Sequence, residues 1–235
     1  MDTKVIYQDK NLLVLNKPAG LLTHGTKEKR EEASLADWLL NNYPEVRTVG
    51  DDPVSRPGIV HRLDKDTSGV LIAARNQETF DYLKALFQKH LVQKTYLALV
   101  YGKIKEKSGI IDKPIGIKSG STKRSTHSEK MKKAAITEYK VIKYVTLRQA
   151  QGKSVETTLL EVTPKTGRTH QIRVHLAAIG YPVVGDKLYG GKRPPAGLTR
   201  QFLHAQSLEF TLPTGERMKF EADLPEELKL LLKSD

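Results

Sequence analysis

Short apolar runs with strand spacing alternate along this chain with stretches of helical spacing, and polar turns separate them. Lys4 to Tyr7 and Leu12 to Leu15 predict two strands joined by the polar turn Gln8 to Asn11, the second apolar on both faces. Ser34 caps a helix that runs to about Tyr43, with Leu35, Trp38 and Leu39 as its apolar stripe, and Pro44 stops it. Val70 to Ala74 is an unbroken apolar run and predicts a buried strand. Asn76 caps a helix to about Lys89, with Phe80, Leu83, Leu86 and Phe87 on one face. Gln93 to Gly102 reads as a strand that places Tyr96, Ala98 and Val100 on one face and Leu97, Leu99 and Tyr101 on the other. One of those faces should meet the core and the other something less apolar.

Strands return at Ala134 to Thr146 and Val155 to Thr163, with Leu147 to Lys153 as a hairpin tip carrying a polar insertion. Thr169 is placed to cap a helix to Ile179, with Ile172, Leu176 and Ile179 as its buried stripe and Gly180 as its stop. Ser207 to Leu212 and Arg217 to Phe220 form a last hairpin around Pro213 to Glu216. Pro225 opens a terminal helix with Leu228, Leu231 and Leu232 turned inward.

The 235 residues contain no Pro/Gly/Ser-rich linker, so one domain spanning 1–235 is expected. The 39 Lys and Arg against 27 Asp and Glu give a net charge of +12, which points to a polyanionic partner, nucleic acid before membrane. With no cysteine, disulfides, thiolate metal sites and thiol nucleophiles are excluded. The start lacks a signal-peptide core and no apolar run reaches ~18 residues, so a soluble cytoplasmic protein, a monomer with no membrane partner, is expected. The charge concentrates in Lys113 to Lys133, read as a flexible basic arm: either a solvated loop or, through residues such as Lys123 and Arg124, a grip on phosphates. Thr23 to Glu32 is a second charged, mobile stretch.

Candidate chemistry centres on His61 to Gly69, His-Arg-Leu-Asp-Lys-Asp-Thr-Ser-Gly, which runs straight into the apolar strand. Asp, Thr, Ser and Gly here form a surface turn that caps its own backbone, or else hold the Asp64 carboxylate where a loop enters the core. In the second case Arg62, Lys65 and His61 supply positive charge that keeps it ionised. A second stretch, Gly167 to Leu176, puts Gly167 and Arg168 ahead of a helix N-terminus, an anion site by its open N–H groups and dipole. Arg173 lies at the edge of that helix's apolar stripe, as a surface arginine or one that reaches into a cleft. No histidine has metal-binding spacing, so no metal is expected.

The motif at Asp64 resembles the signature of the RluA-type pseudouridine synthases. Asn16 to Gly20, Asn-Lys-Pro-Ala-Gly, is similar to a second motif of that family; Lys94 to Gly102 with Tyr96 to a third; and Gly167 to Leu176 with Arg173 to the most specific one after the first. Tyr181 to Gly190 and Leu203 to Ala205 are similar to further segments. The resemblance covers about Val5 to Phe220 in the family's order. It implies an α+β fold, the pseudouridine synthase fold, with a mixed, largely antiparallel sheet, flanking helices and a central basic cleft. It implies no cofactor, since converting uridine to pseudouridine is an isomerisation. It assigns Asp64 as the catalytic carboxylate, Arg173 as its ion-pair partner, and Tyr96 to the active site, at the C5 proton or stacked on the base. Arg62, Arg168 and Leu176 are expected at the substrate, an rRNA or a tRNA whose uridine must flip out of its stack. Many members carry an N-terminal S4-type RNA-binding domain, whereas this chain is expected to work without one.

Two other classes compete. A glycosidase also sets a carboxylate against an anomeric carbon, but needs an acid/base pair for which only Asp66 and Asp186 offer themselves. A non-catalytic RNA-binding module would explain the charge without requiring Asp64 beside a buried strand.

Overall fold

A computed structural model of the chain describes residues 3–25, 32–118, 120–121, 123–148, 154–191, 194–195 and 197–233. In chain order its elements are β1 (Lys4–Gln8), β2 (Leu12–Lys17), α1 (Leu35–Asn42), a 3-10 turn (Pro44–Thr48), β3 (Ser68–Ala74), α2 (Gln77–Gln88), β4 (Gln93–Tyr101) and β5 (Ser108–Asp112). There follow β6 (Gly116–Ile117), β7 (Arg124–Ser125), β8 (Ile136–Arg148), β9 (Ser154–Pro164), α3 (Gln171–Ala178), β10 (Leu203–Thr211), β11 (Arg217–Glu221) and α4 (Glu226–Leu231). This is an α+β architecture with largely antiparallel sheet, as expected. Residues 26–31 of the charged stretch before α1 and 149–153 of the insertion between β8 and β9 lie outside the described residues. Two compact units make up the chain, Met1–Gln93 with Ala205–Asp223 and Lys94–His204 with Leu224–Asp235. Two of the three divisions fall inside β4 and β10 and the third in the short link between β11 and α4, so no long linker marks them.

In the first unit the strands run β1, β2, β3, β10, with β11 beside β10. β1 with β2, β2 with β3, and β10 with β11 are antiparallel. β2 is apolar on both faces because it is an interior strand, and Leu13, Val14 and Leu15 are completely buried. α1 begins with a capping box: the Asp37 N–H donates to the Ser34 hydroxyl, and the Asp37 carboxylate accepts from the Ser34 N–H. α2 starts at the Asn76 cap and packs Phe80, Leu83 and Leu86 onto Val70, Ile72, Phe210 and Phe220.

In the second unit the order is β4, β9, β8, β5, each pair antiparallel. From Leu97 to Tyr101 both faces of β4 are buried, which corrects the expectation of one less apolar face. Ala98 and Val100 pack with Ile172 and Leu176 of α3, while Leu99 and Tyr101 pack with Phe202 and Leu228 of α4. The terminal helix covers the second face, so no polar surface is needed there. The basic stretch is not an open arm. Ile115 and Lys133 exchange backbone hydrogen bonds, β6 pairs with β7, and the Ser128 hydroxyl donates to the Ile117 carbonyl at 2.5 Å, which closes it into a hairpin.

Gly69 links the fold to the motif loop. Its φ is +120°, and a Cβ there would overlap the carbonyl oxygen of Ala205 on the neighbouring β10. Gly69→Ala should therefore cost on the order of 3 kcal/mol or more of unfolding free energy, and a denaturant melt checks this. A loss under about 1 kcal/mol would mean that β3 and β10 separate easily at this point.

Candidate active site

The loop that carries Asp64 is pinned on both sides of that residue. Before it, the Thr23 hydroxyl accepts the Leu63 N–H at 3.2 Å and donates to the Leu63 carbonyl at 2.9 Å. After it, the Lys65 carbonyl accepts from the Lys17 ammonium at 3.1 Å and from the Gly20 N–H at 2.9 Å. Lys17 has no solvent exposure, and its ammonium also donates to the carbonyls of Pro18 and Leu21 at 2.8 Å each. Such a buried charge is tolerated because its donors are satisfied. The Asn-Lys-Pro-x-Gly corner is thus a clamp on the Asp64 loop. Within the loop the Thr67 N–H donates to the Asp64 carbonyl, Thr67 and Ser68 are buried, and Asp64 itself is half-buried. The turn reading and the anchored-carboxylate reading therefore describe the same structure.

The basic residues next to Asp64 each have a partner of their own. His61 accepts the Ile72 N–H on Nε2 at 3.0 Å and stacks on Phe87, so that nitrogen carries no proton and the ring serves packing. The Lys65 ammonium is paired with Glu32 at 2.5 Å. Arg62 is exposed, and its Nη1 donates to Nε2 of His24 at 3.3 Å, the His24 Nδ1 being engaged by the Gly25 carbonyl. Burial, with Arg62 and Arg56 nearby, holds His24 below the usual histidine range, which suits this acceptor role.

The second unit holds Tyr96, Arg168, Arg173, Leu176, Lys123 and Arg124. Arg173 is buried, against the reading of it as a surface residue, and forks onto Asp186: Nε donates to Oδ2 at 2.7 Å and Nη2 to Oδ1 at 2.9 Å. Burial alone would raise the Asp186 carboxyl, but Arg173 and the amides of Leu188 and Tyr189 outweigh it and hold the group below its ordinary value. The Arg173 guanidinium also lies over the Tyr189 ring, 5.2 Å from its centre. The Tyr189 hydroxyl in turn accepts the Arg124 N–H at 2.9 Å and meets His170 Nδ1 at 3.0 Å. Asp186 and Tyr189 thus fix the arginine and tether the basic hairpin. The sequence offers Asp186 only as a candidate second acid of a glycosidase and gives Tyr189 no role; the pairing of Asp186 with Arg173 has no local signal.

α3 starts later than expected. Its N-cap is His170 in the left-handed region (φ 57°), with no side-chain cap, and Thr169 is exposed. The reason is Gln171, whose Oε1 accepts the Arg168 N–H and the Thr166 hydroxyl. The Arg168 N–H proposed for an anion is therefore occupied, while its Nε donates to the Ala134 carbonyl. Leu176 is fully buried in the cluster against which Tyr96 packs, so it supports that ring from within the core. Among the described residues no group of three or more His, Asp or Glu could hold a metal, and no helix is long and apolar enough to cross a membrane.

The fold matches solved structures. The human protein titled RNA Pseudouridylate Synthase Domain Containing 1 superposes with a TM-score of 0.74 at 28% identity, covering 95% of this chain and 84% of that one. The family described as RNA pseudouridylate synthase matches residues 11–178. Proteins named ribosomal large subunit pseudouridine synthase D are similar to the chain: that of Nitrosomonas europaea is 39% identical over 98% of this chain and 64% of its own length. That of Pseudomonas aeruginosa is 38% identical over 99% of this chain and 71% of its own length. The chain thus spans roughly two thirds of the length of these relatives. It belongs to the RNA pseudouridylate synthase family.

Proposed function

We propose that the protein isomerises uridine to pseudouridine in RNA, with Asp64 as its catalytic carboxylate. The observation that carries this reading is the two-sided clamp on the Asp64 loop, which fixes one half-buried carboxylate beside a strand whose residues are all buried. Reactive groups are held in this way, whereas a surface turn needs no buried ammonium behind it. The reaction breaks N1–C1′, turns the base, joins C5 to C1′, moves the C5 proton to solvent and places a proton on N1. Asp64 acts at the sugar, by attack on C1′ or by taking the C2′ proton. Arg173, whose direction Asp186 fixes, is the cation we assign to the same chemistry. Tyr96, backed by Leu176, meets the base at the C5 proton or by stacking.

Arg62 is exposed and one residue from Asp64, suited to fill the gap left by a flipped base. Arg168, Lys123 and Arg124 serve the phosphates. The Nε of Arg124 is buried with no hydrogen-bond partner among the described residues. The substrate we favour is ribosomal RNA, since the relatives' names refer to the ribosomal large subunit, and such an enzyme would work in the cytoplasm. The test is to incubate the protein with total RNA and map pseudouridine at nucleotide resolution. New pseudouridine at a small set of ribosomal sites is expected. Release of free uracil would indicate a glycosidase, and RNA binding with no new nucleoside would indicate a binding module.

A further inference from the structure

Two lysines in this protein, one fully buried and one half-buried, are accommodated in different ways. Lys17 is saturated by backbone carbonyls. Lys94, the second residue of β4, is half-buried, and among the described residues its ammonium makes no hydrogen bond and no ion pair. Burial alone holds it below the usual lysine range. A half-covered ammonium with no protein acceptor is open to one from outside, and positions of this kind concentrate where a ligand supplies the partner.

Its place on the strand says which ligand. Successive β-strand side chains alternate, so Lys94 shares a face with Tyr96, Ala98 and Val100, about 7 Å before Tyr96. Ala98 and Val100 close that face against α3, whereas Lys94 and Tyr96 are only partly covered. An ammonium next to the ring proposed to meet the base lies on the scale of one nucleotide from it. The acceptor that every RNA nucleotide brings is its phosphate. The chain's net charge of +12 agrees with such a polyanionic partner.

We propose that Lys94 is a substrate-contacting residue that binds a phosphodiester oxygen of the RNA strand beside the uridine that Tyr96 meets. This rests on the RNA-isomerase reading above. Lys94 stays uncompensated in the unliganded protein and is satisfied on binding, so it contributes to affinity and to seating of the nucleotide, not to stability.

The test uses the full chain and an oligouridylate, with binding measured across a salt series for wild type, Lys94→Met and Lys94→Arg. Lys94→Met should weaken binding roughly tenfold at low salt. It should also reduce the slope of log affinity against log salt by about 0.7, one single-strand phosphate contact. Lys94→Arg should restore most of both. The melting temperature of Lys94→Met should equal or exceed that of wild type, because the half-covered ammonium has no partner in the protein to lose. An unchanged salt slope in Lys94→Met, whether affinity stays or falls, overturns the assignment, since a contact to a base carbonyl or a structural role would leave the slope alone. If wild type binds neither oligouridylate nor total RNA, the RNA reading falls and this inference with it. Binding by wild type with a normal slope in the variant removes only Lys94.

Discussion

Asp64→Asn will lower pseudouridine formation by ~10⁴-fold or more while the protein folds and binds RNA as before. The amide has the size of the carboxylate, and the contacts that hold the loop run through the backbone of Leu63 and Lys65 and the side chains of Thr23 and Lys17, none of which this change touches. The melting temperature, measured alongside, checks that the fold is kept. RNA affinity should hold or rise, because the change removes a negative charge from a surface meant for phosphates. What is lost is an ionised oxygen able to act at C1′ or at the C2′ proton, and an amide has no comparable basicity. Single-turnover rates at saturating RNA measure this directly. A variant that keeps even a tenth of the wild-type rate would move the chemistry to another residue.

Arg173→Lys is expected to reduce turnover by ~10²-fold or more although the charge is conserved. Asp186 takes Nε and Nη2 of the guanidinium on its two oxygens, and the group lies over the Tyr189 ring. A lysine offers one ammonium to a carboxylate whose side chain has no solvent exposure. It cannot serve both oxygens, keep the stacking, and still present charge to a second partner. Part of the effect will appear in stability, since disturbing a buried pair costs on the order of 3 kcal/mol. The rate is therefore compared at a temperature where both proteins are folded. Asp186→Asn, which leaves Arg173 in place, should produce a smaller loss in the same direction. Wild-type turnover by Arg173→Lys would mean that the fork only braces the fold.

Features set by local patterns were legible in the sequence. The cap at Ser34, the cap at Asn76, the buried run of β3 and the two-faced β2 follow from nearest neighbours and from period, and the structure has them where the pattern puts them. The motif loop and its Lys-Pro corner were also recognisable as sequence. Features made by contacts distant in the chain were not legible. The hairpin between Lys113 and Lys133 looked like a solvated arm because its anchor, Tyr189, lies 65 residues from Arg124. The second face of β4 looked half-exposed because the helix that covers it is the last element of the chain. Thr169 looked like a cap because Ser, Thr and Asp usually are, but the Gln171 side chain had already closed that turn onto Arg168. His61 reads in the sequence as a cation for Asp64, and only the structure shows its Nε2 taking the Ile72 N–H and its ring stacked on Phe87. The aspartate beneath Arg173 was visible as a residue and invisible as a partner, since nothing local ties position 186 to position 173.

The central claim, isomerisation at Asp64 without loss of the base, is tested most directly with RNA carrying tritium at uridine C5. Joining C5 to C1′ expels that hydrogen, so each pseudouridine formed releases one tritium to water. Wild-type protein should release tritium in equal amount to new pseudouridine and yield no free uracil, and Asp64→Asn should release none above background. Tritium retained by wild type on RNA that it binds, or tritium release that survives in Asp64→Asn, would contradict the account.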